Sequence, residues 1–188
     1  MLLLATFSHN AADKIYHAIV RSTEGENRLK PLLRAHDTEG STRYVDFDTI
    51  RPVFSTRADK CHISHVVADT ETWEQKMAQS LEDMDEVYSY VKNYNLGFTI
   101  PYILNGEEKP YFPDFIARIE DGHGQEDLLN LIIEVTGERR KEKVIKVEAA
   151  KTLWVPAINN HGSFGRWAFL EIADPWDAQQ NIRGFLRR

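Results

Sequence analysis

The sequence has a single cysteine, no excess of positive charge and no long apolar run, and each shortage excludes a class of protein. Cys61 alone cannot form an intrachain disulfide, which fits a protein of the reducing cytoplasm. The formal net charge of -6 at pH 7 excludes the strongly basic domains that bind nucleic acid through overall charge, so any such contact must come from a local patch. The apolar opening M-L-L-L-A is too short to span a bilayer. Together these features predict a soluble, cytoplasmic protein without a membrane partner.

The length of 188 residues and the 42% hydrophobic content are enough for one sizeable core with a smaller appendage. Apolar residues recur at three- and four-residue spacing after Asn10, which predicts a helix near the N-terminus. From Ser22 to Ala68 the chain is rich in loops with short extended pieces. We therefore expect an N-terminal α+β extension over residues 1–68 and a larger domain over residues 69–188.

The larger domain shows an alternation of helical and strand-like segments. Six apolar residues at helical spacing predict one long helix from about Asp69: Trp73, Met77, Leu81, Met84, Tyr88 and Val91. The stretches L-G-F-T-I-P-Y-I-L and Y-F-P-D-F-I-A-R-I are typical of a hairpin, and the strand L-N-L-I-I-E-V-T-G follows. A further helix, with Val144, Val147 and Ala150 expected on its buried side, precedes the strand R-W-A-F-L-E-I. The order α-β-β-β-α-β predicts an α/β fold.

One charged residue, Glu134, interrupts the apolar strand L-N-L-I-I-E-V-T-G. An isolated charge inside a covered strand costs several kcal/mol unless it is paired or bound to a metal. Asp114, in the preceding stretch Y-F-P-D-F, is the candidate neighbour, and two facing carboxylates repel each other unless a divalent cation lies between them. The pair therefore predicts a magnesium site. An ion pair of Glu134 with Arg118 or Arg139 is the structural alternative.

The element order, Pro113-Asp114 on one strand and E-V-T-G on the next resemble the PD-(D/E)XK nuclease fold. A wider resemblance covers nearly the whole chain: several stretches are similar to the C-terminal part of type III restriction enzyme Res-like subunits, among them K-C-H-I-S-H-V-V-A-D-T-E-T-W-E, V-K-N-Y-N-L-G-F-T-I-P-Y, Y-F-P-D-F-I-A-R and L-W-V-P-A-I-N-N-H-G. In that family a DEAD/DEAH helicase motor precedes the nuclease domain. No G-K-[ST] loop or D-E-x-H box occurs here, so the resemblance implies a C-terminal fragment of a larger protein that includes an ATPase motor.

The resemblance implies a Mg²⁺-dependent or Mn²⁺-dependent endonuclease that hydrolyses DNA in a restriction or phage-defence system. It makes Asp114 and Glu134 the metal ligands, with the backbone carbonyl of Val135 as a third. Glu74 follows Trp73 in the matching stretch and is the expected acid from the first helix, with Glu82 as the second choice.

Thr136 departs from the family pattern, because E-x-K places a lysine two residues after the metal-bound glutamate, on the same face of the strand. A threonine can donate one hydrogen bond but supplies no positive charge. Two hypotheses follow. Either the catalytic cation has moved to the next helix, with Lys143 and Lys146 as candidates, or the site has lost cleavage.

The basic stretch after Gly137 favours the first hypothesis, and we expect Arg139, Arg140 and Lys141 to contact DNA phosphates. Two rival functions stay open. Thr136 is the argument for a catalytically degenerate DNA-binding module, and the acidic net charge is the argument for a domain that docks on its own helicase.

Overall fold

The computed structural model of the chain describes residues 40–68, 73–136 and 141–187. The helix expected near the N-terminus and the basic residues Arg139 and Arg140 lie outside these ranges. Within them the fold is mixed α/β, and no helix there is long and apolar enough to span a membrane.

A four-stranded sheet forms the centre of the molecule, with the strand order β3-β6-β7-β8. Its strands are β3 (Val87–Lys92), β6 (Phe115–Ile119), β7 (Leu129–Val135) and β8 (Arg166–Ile172). β6 pairs antiparallel with both β3 and β7, whereas β7 and β8 are parallel. A parallel neighbour needs a long crossover, and the helical segments between β7 and β8 supply it.

Two hairpins lie outside this sheet. β1 (Val53–Ser55) pairs with β2 (His65–Val67), and β4 (Ile100–Leu104) pairs with β5 (Glu107–Tyr111). The turn between β4 and β5 is Asn105-Gly106, and both residues have positive φ, 54° and 80°. This Asn-Gly turn matches the twist of a two-residue hairpin.

Helices cover both faces of the sheet. They are α1 (Trp73–Glu82), α2 (Lys141–Ala149), α3 (Val155–His161) and α4 (Ala178–Leu186). A π-helical turn, Ala150–Trp154, joins α2 to α3 without a break, and Pro156 is the second residue after this turn. Gly162, with φ of 76°, ends α3 in the left-handed conformation.

Each face of the sheet has its own apolar core. The first face packs against α1, α4 and the β1–β2 hairpin, and its fully buried members include Met77, Leu81, Phe115, Ile119 and Ile182. Cys61 and Val66 belong to the same core, so the described part of the predicted N-terminal extension packs directly on the larger domain.

The second face packs against α2, the π-helical turn and the β4–β5 hairpin. Ile132 and Phe169 of the sheet meet Tyr102 and Tyr111 of the hairpin there. Every strand of the sheet centre is therefore covered on both sides, which explains the nearly continuous apolar sequence of β7.

The long helix predicted to include Tyr88 and Val91 is wrong, because α1 ends at Glu82 and Val87–Lys92 is a strand. The sequence V-Y-S-Y-V favours a strand through its β-branched and aromatic residues, and this preference outweighs the coincidental helical spacing. The predicted hairpin also has different partners. β4 pairs with the short β5, while β6 joins the central sheet.

Val144 was expected on the buried side of α2 but is 53% exposed, whereas Val147 and Ala150 are buried. The apolar stripe of this helix is therefore narrower than the sequence suggested. The predicted order α-β-β-β-α-β is wrong in its first strand, because L-G-F-T-I-P-Y-I-L forms β4 of a separate hairpin and β3 is the first strand of the central sheet.

We expect the central sheet to dominate stability. Ile119→Ala removes a fully buried side chain of β6 and should lower the free energy of unfolding by about 2–5 kcal/mol, through lost burial and the cavity left behind. Ile50→Ala is the matched control, because Ile50 is fully exposed, and it should change stability by less than about 0.5 kcal/mol. Urea unfolding followed by tryptophan fluorescence measures both; equal losses would contradict the assigned core.

Candidate functional site

The pairing of β6 with β7 brings Asp114 opposite Glu134. Phe115 is the register partner of Ile133, so the residues next to them, Asp114 and Glu134, face each other across the two strands. Asp114 Oδ2 accepts a hydrogen bond of 2.8 Å from the Val135 N–H, which fixes the aspartate against β7. The two carboxylates therefore share one face of the sheet.

Glu134 is only 8% exposed, and both of its carboxylate oxygens have partners. The Tyr111 hydroxyl donates to Oε2 at 2.6 Å, and the Lys143 ammonium lies 3.2 Å from Oε1. Lys143 also donates to the Val135 carbonyl oxygen at 3.2 Å. A hydroxyl from β5 and a cation from α2 thus stabilise the charge that the strand buries.

Burial, together with the nearby Glu134 charge, raises the pKa of Asp114 to about 7. The Val135 N–H and the charges of Lys92 and Lys143 act in the opposite direction but do not prevail. At neutral pH the neighbouring lysines therefore do not fully neutralise the two carboxylates. A divalent cation between the two carboxylates would supply it.

Thr136 directs its hydroxyl toward the neighbouring strand. It donates to Glu171 Oε1 at 2.9 Å, and Glu171 is the register partner of Glu134 in the parallel β7–β8 pair. The Lys151 ammonium lies 3.9 Å from the other oxygen of Glu171. The position where the E-x-K pattern has a lysine is therefore occupied by a hydroxyl that binds a third acid.

The two acids expected from the first helix have different surroundings. Glu74 Oε1 lies 3.7 Å from the Lys92 ammonium, which also donates to the Val67 carbonyl at 2.7 Å. Glu82 is buried, and its Oε1 accepts hydrogen bonds of 2.8 Å from the Arg57 N–H and from the Tyr90 hydroxyl. Glu82 thus links Arg57, in the loop between β1 and β2, to Tyr90 of β3, and these hydrogen bonds hold the hairpin against the domain.

Among the cationic candidates, the structure brings Lys143 to the carboxylate pair and does not bring Lys146. Lys146 forms an ion pair of 3.0 Å with Glu142 and lies over the Tyr102 ring. The positions of Arg139 and Arg140 and the side chain of Lys141 are outside the described structure.

The alternative partner Arg118 lies elsewhere. Its guanidinium is 5.6 Å from the centre of the Tyr88 ring, on β3. Asp114, Glu134 and Lys143 are therefore the sequence-predicted residues that meet at one place.

A metal at this place would depend on few ligands. Within residues 40–68, 73–136 and 141–187, no three His, Cys, Asp or Glu side chains are grouped closely enough to hold a metal ion. The donors that are present, two carboxylates and the Val135 carbonyl, are the hard oxygen ligands that Mg²⁺ prefers, and Mg²⁺ commonly keeps several waters. The residues fit a magnesium ion with few protein ligands.

Three residues of this region were missed by the sequence analysis: Tyr111, Lys92 and Glu171. Tyr111 lies three residues before Asp114, and its contact with Glu134 depends on how the β4–β5 hairpin folds back. Glu171 sits inside the apolar strand R-W-A-F-L-E-I, so the unusual charge that identified Glu134 could also have identified it. Lys92 directly follows Val91 of the wrongly predicted helix, so its position at the end of a strand was not predicted.

Comparisons with protein-family models, with curated proteins and with solved structures find no match to this chain.

The raised pKa of Asp114 predicts a pH-dependent stability in metal-free buffer. The folded protein binds the Asp114 proton more tightly than the unfolded chain, so the stability from this group is complete near pH 4 and is lost as the pH rises to about 7. Asp114→Asn keeps an acceptor for the Val135 N–H but does not titrate. Relative to wild type, the variant should gain on the order of a few kcal/mol between these pH values and level off above them.

Asp59→Asn serves as the control for this titration. Asp59 is exposed, and its hydrogen bond with Arg57 lowers its pKa, so this variant should run parallel to wild type between pH 5 and pH 8. Urea midpoints in EDTA measured across this range provide the comparison. A constant difference between Asp114→Asn and wild type would refute the raised pKa of Asp114.

Proposed function

We propose that the chain is a metal-dependent deoxyribonuclease domain of the PD-(D/E)XK type, which hydrolyses phosphodiester bonds in a cytoplasmic restriction or phage-defence system. The resemblance to type III restriction enzyme Res-like subunits further suggests a helicase motor as its partner. Asp114, Glu134 and the Val135 carbonyl would hold Mg²⁺ or Mn²⁺, and Lys143 would supply the cation that the E-x-K pattern normally contributes.

The arrangement of the sheet supports this proposal. Three antiparallel strands, β3, β6 and β7, are followed by a helical crossover and by the parallel strand β8, with α1 before them. This is the order that the PD-(D/E)XK resemblance implies. Asp114 directly precedes the second of these strands, although the resemblance places it on the strand, and Glu134 lies near the end of the third.

The observation that carries the proposal is the position of Lys143. Its ammonium lies 3.2 Å from Glu134 Oε1, although it comes from the helix after β7 and not from the position of Thr136. A cation beside a carboxylate pair has a use in phosphate chemistry, because it stabilises negative charge that develops on the phosphate oxygens. A lysine supplied by the helix instead of the strand would stabilise the same negative charge.

Each residue then has a distinct role. A divalent cation held by these residues would polarise a phosphate oxygen and lower the pKa of a bound water. Asp114 and Glu134 provide the negative charge that binds it, Val135 provides a neutral oxygen, and Lys143 stabilises the pentavalent phosphate. Removing one such charge stabiliser typically slows a reaction by about 10² to 10³.

A second candidate function rests on the same lysine. Lys143 contacts Glu134 and the Val135 carbonyl together, and these are two of the oxygen groups proposed to bind the metal. An ammonium held there can also replace the metal permanently. The domain would then be a degenerate nuclease that binds DNA or docks on a helicase without cutting.

Nicking of supercoiled plasmid DNA by the 188-residue chain in Mg²⁺ or Mn²⁺ tests the proposal. We expect metal-dependent nicking that Asp114→Ala abolishes and that Lys143→Met reduces at least about tenfold, because methionine keeps most of the lysine stem and removes its charge. Lys146→Met is the matched control. Its ammonium pairs with Glu142, so its rate should stay within about twofold of wild type.

Two other results would change the interpretation. Full activity in Lys143→Met would refute the lysine's role in the reaction. No nicking by wild type together with nicking by Thr136→Lys would identify the degenerate nuclease, since that substitution restores the missing cation of the E-x-K pattern.

DNA binding by the isolated chain should be weak and should fall steeply with salt. A chain of net charge -6 has only local cationic groups with which to neutralise phosphates, and counterion release makes such contacts sensitive to salt. Fluorescence anisotropy with a labelled duplex at 50 mM and 200 mM salt measures the effect. Tight binding that is equal at both salt concentrations would contradict this expectation.

A further inference from the structure

We infer that Tyr111 is a positioning residue of the candidate metal site, whose hydroxyl fixes the Glu134 carboxylate in the orientation that binds a divalent cation. This inference rests on the proposed function, because it concerns the same pair of acids. It adds a residue from a part of the fold, the β4–β5 hairpin, that the resemblance assigns no role in the site.

The contact is short and enclosed. The Tyr111 hydroxyl donates to Glu134 Oε2 at 2.6 Å, and Tyr111 is only 2% exposed. Hydrogen bonds to an ionised acceptor are among the stronger ones in proteins, and enclosure strengthens them further. Water has little access to replace this donor if the hydroxyl is removed.

The contact also determines which way the carboxylate faces. Tyr111 binds Oε2, while Lys143 lies beside Oε1, so the two oxygens are held by donors from two different elements. Glutamate has three side-chain torsions, and ordering it takes free energy that a fixed donor supplies in advance. Partners that orient metal ligands in this way typically contribute about 10–100-fold to metal affinity.

The hairpin offers a matched control for this role. Tyr102, on the facing strand β4, donates its hydroxyl to Glu142 Oε1 at 2.7 Å. Both tyrosines belong to the same core cluster, and each hydroxyl meets one glutamate. Only Tyr111 reaches an acid of the candidate metal site, so loss of a hydroxyl at the two positions separates ligand positioning from hairpin packing.

The experiment compares Tyr111→Phe with Tyr102→Phe in the 188-residue chain, with Mn²⁺ affinity measured by calorimetry. We expect Tyr111→Phe to weaken Mn²⁺ binding by about 10–100-fold and Tyr102→Phe to stay within about twofold of wild type. Unchanged affinity in Tyr111→Phe, with binding by wild type intact, overturns the inference and leaves the proposed function standing. Equal losses in both variants overturn it too, since they would indicate hairpin packing. No Mn²⁺ binding by wild type overturns both proposals.

A second measurement needs no variant at position 111 to fold. In wild-type protein labelled with ¹³C at the ζ carbons of tyrosine, the resonance of Tyr111 should shift with Mg²⁺ over the concentration range in which the metal binds. The other six tyrosine resonances are assigned by their loss in single Tyr→Phe variants, which leaves that of Tyr111, and the resonance of Tyr102 should not shift. A Tyr111 signal that does not respond to saturating Mg²⁺ overturns the positioning role.

Discussion

The pairing of β6 with β7 is the constraint on which the candidate site depends. The hydrogen bond from the Val135 N–H to Asp114 Oδ2 closes this pair at its end and holds the two acids side by side. Side chains alternate between the faces of a strand, so a slip of one residue would turn Glu134 into the apolar core beside α1. The fully buried neighbours Ile133 and Phe115 prevent that slip, because they in turn would have to leave the core.

The site is assembled from parts of the chain that are far apart in sequence. β6 brings one acid, β7 the other, the β4–β5 hairpin a hydroxyl and α2 an ammonium. The hydroxyl and the ammonium each contact one oxygen of the buried Glu134 carboxylate. The central sheet determines where the acids lie, and the elements packed on its second face determine what surrounds them.

The sequence identified the acids but not all of their surroundings. Glu134 could be found because a charge inside an apolar strand is rare, and Lys143 because it follows that strand closely. Tyr88 and Val91 continue the helical spacing of α1, and their strand conformation depends on the pairing of β3 with β6, which the local sequence does not show. Tyr111 could not be found, because its contact with Glu134 depends on how the β4–β5 hairpin folds back onto the sheet, which the local sequence does not show. The boundary at residue 68 stays a prediction, as do the functions proposed for the domain.

The β4–β5 hairpin forms its own two-stranded sheet, and this determines where the chain can tolerate insertions. Its strands hydrogen-bond to each other and not to the central sheet, and its tip is an Asn-Gly turn. The loop can therefore gain or lose residues at Asn105 and Gly106 without changing the register of any strand that carries an acid. Changes at the hairpin tip would therefore alter the surface next to the site, while Tyr111 at its base keeps its contact with Glu134.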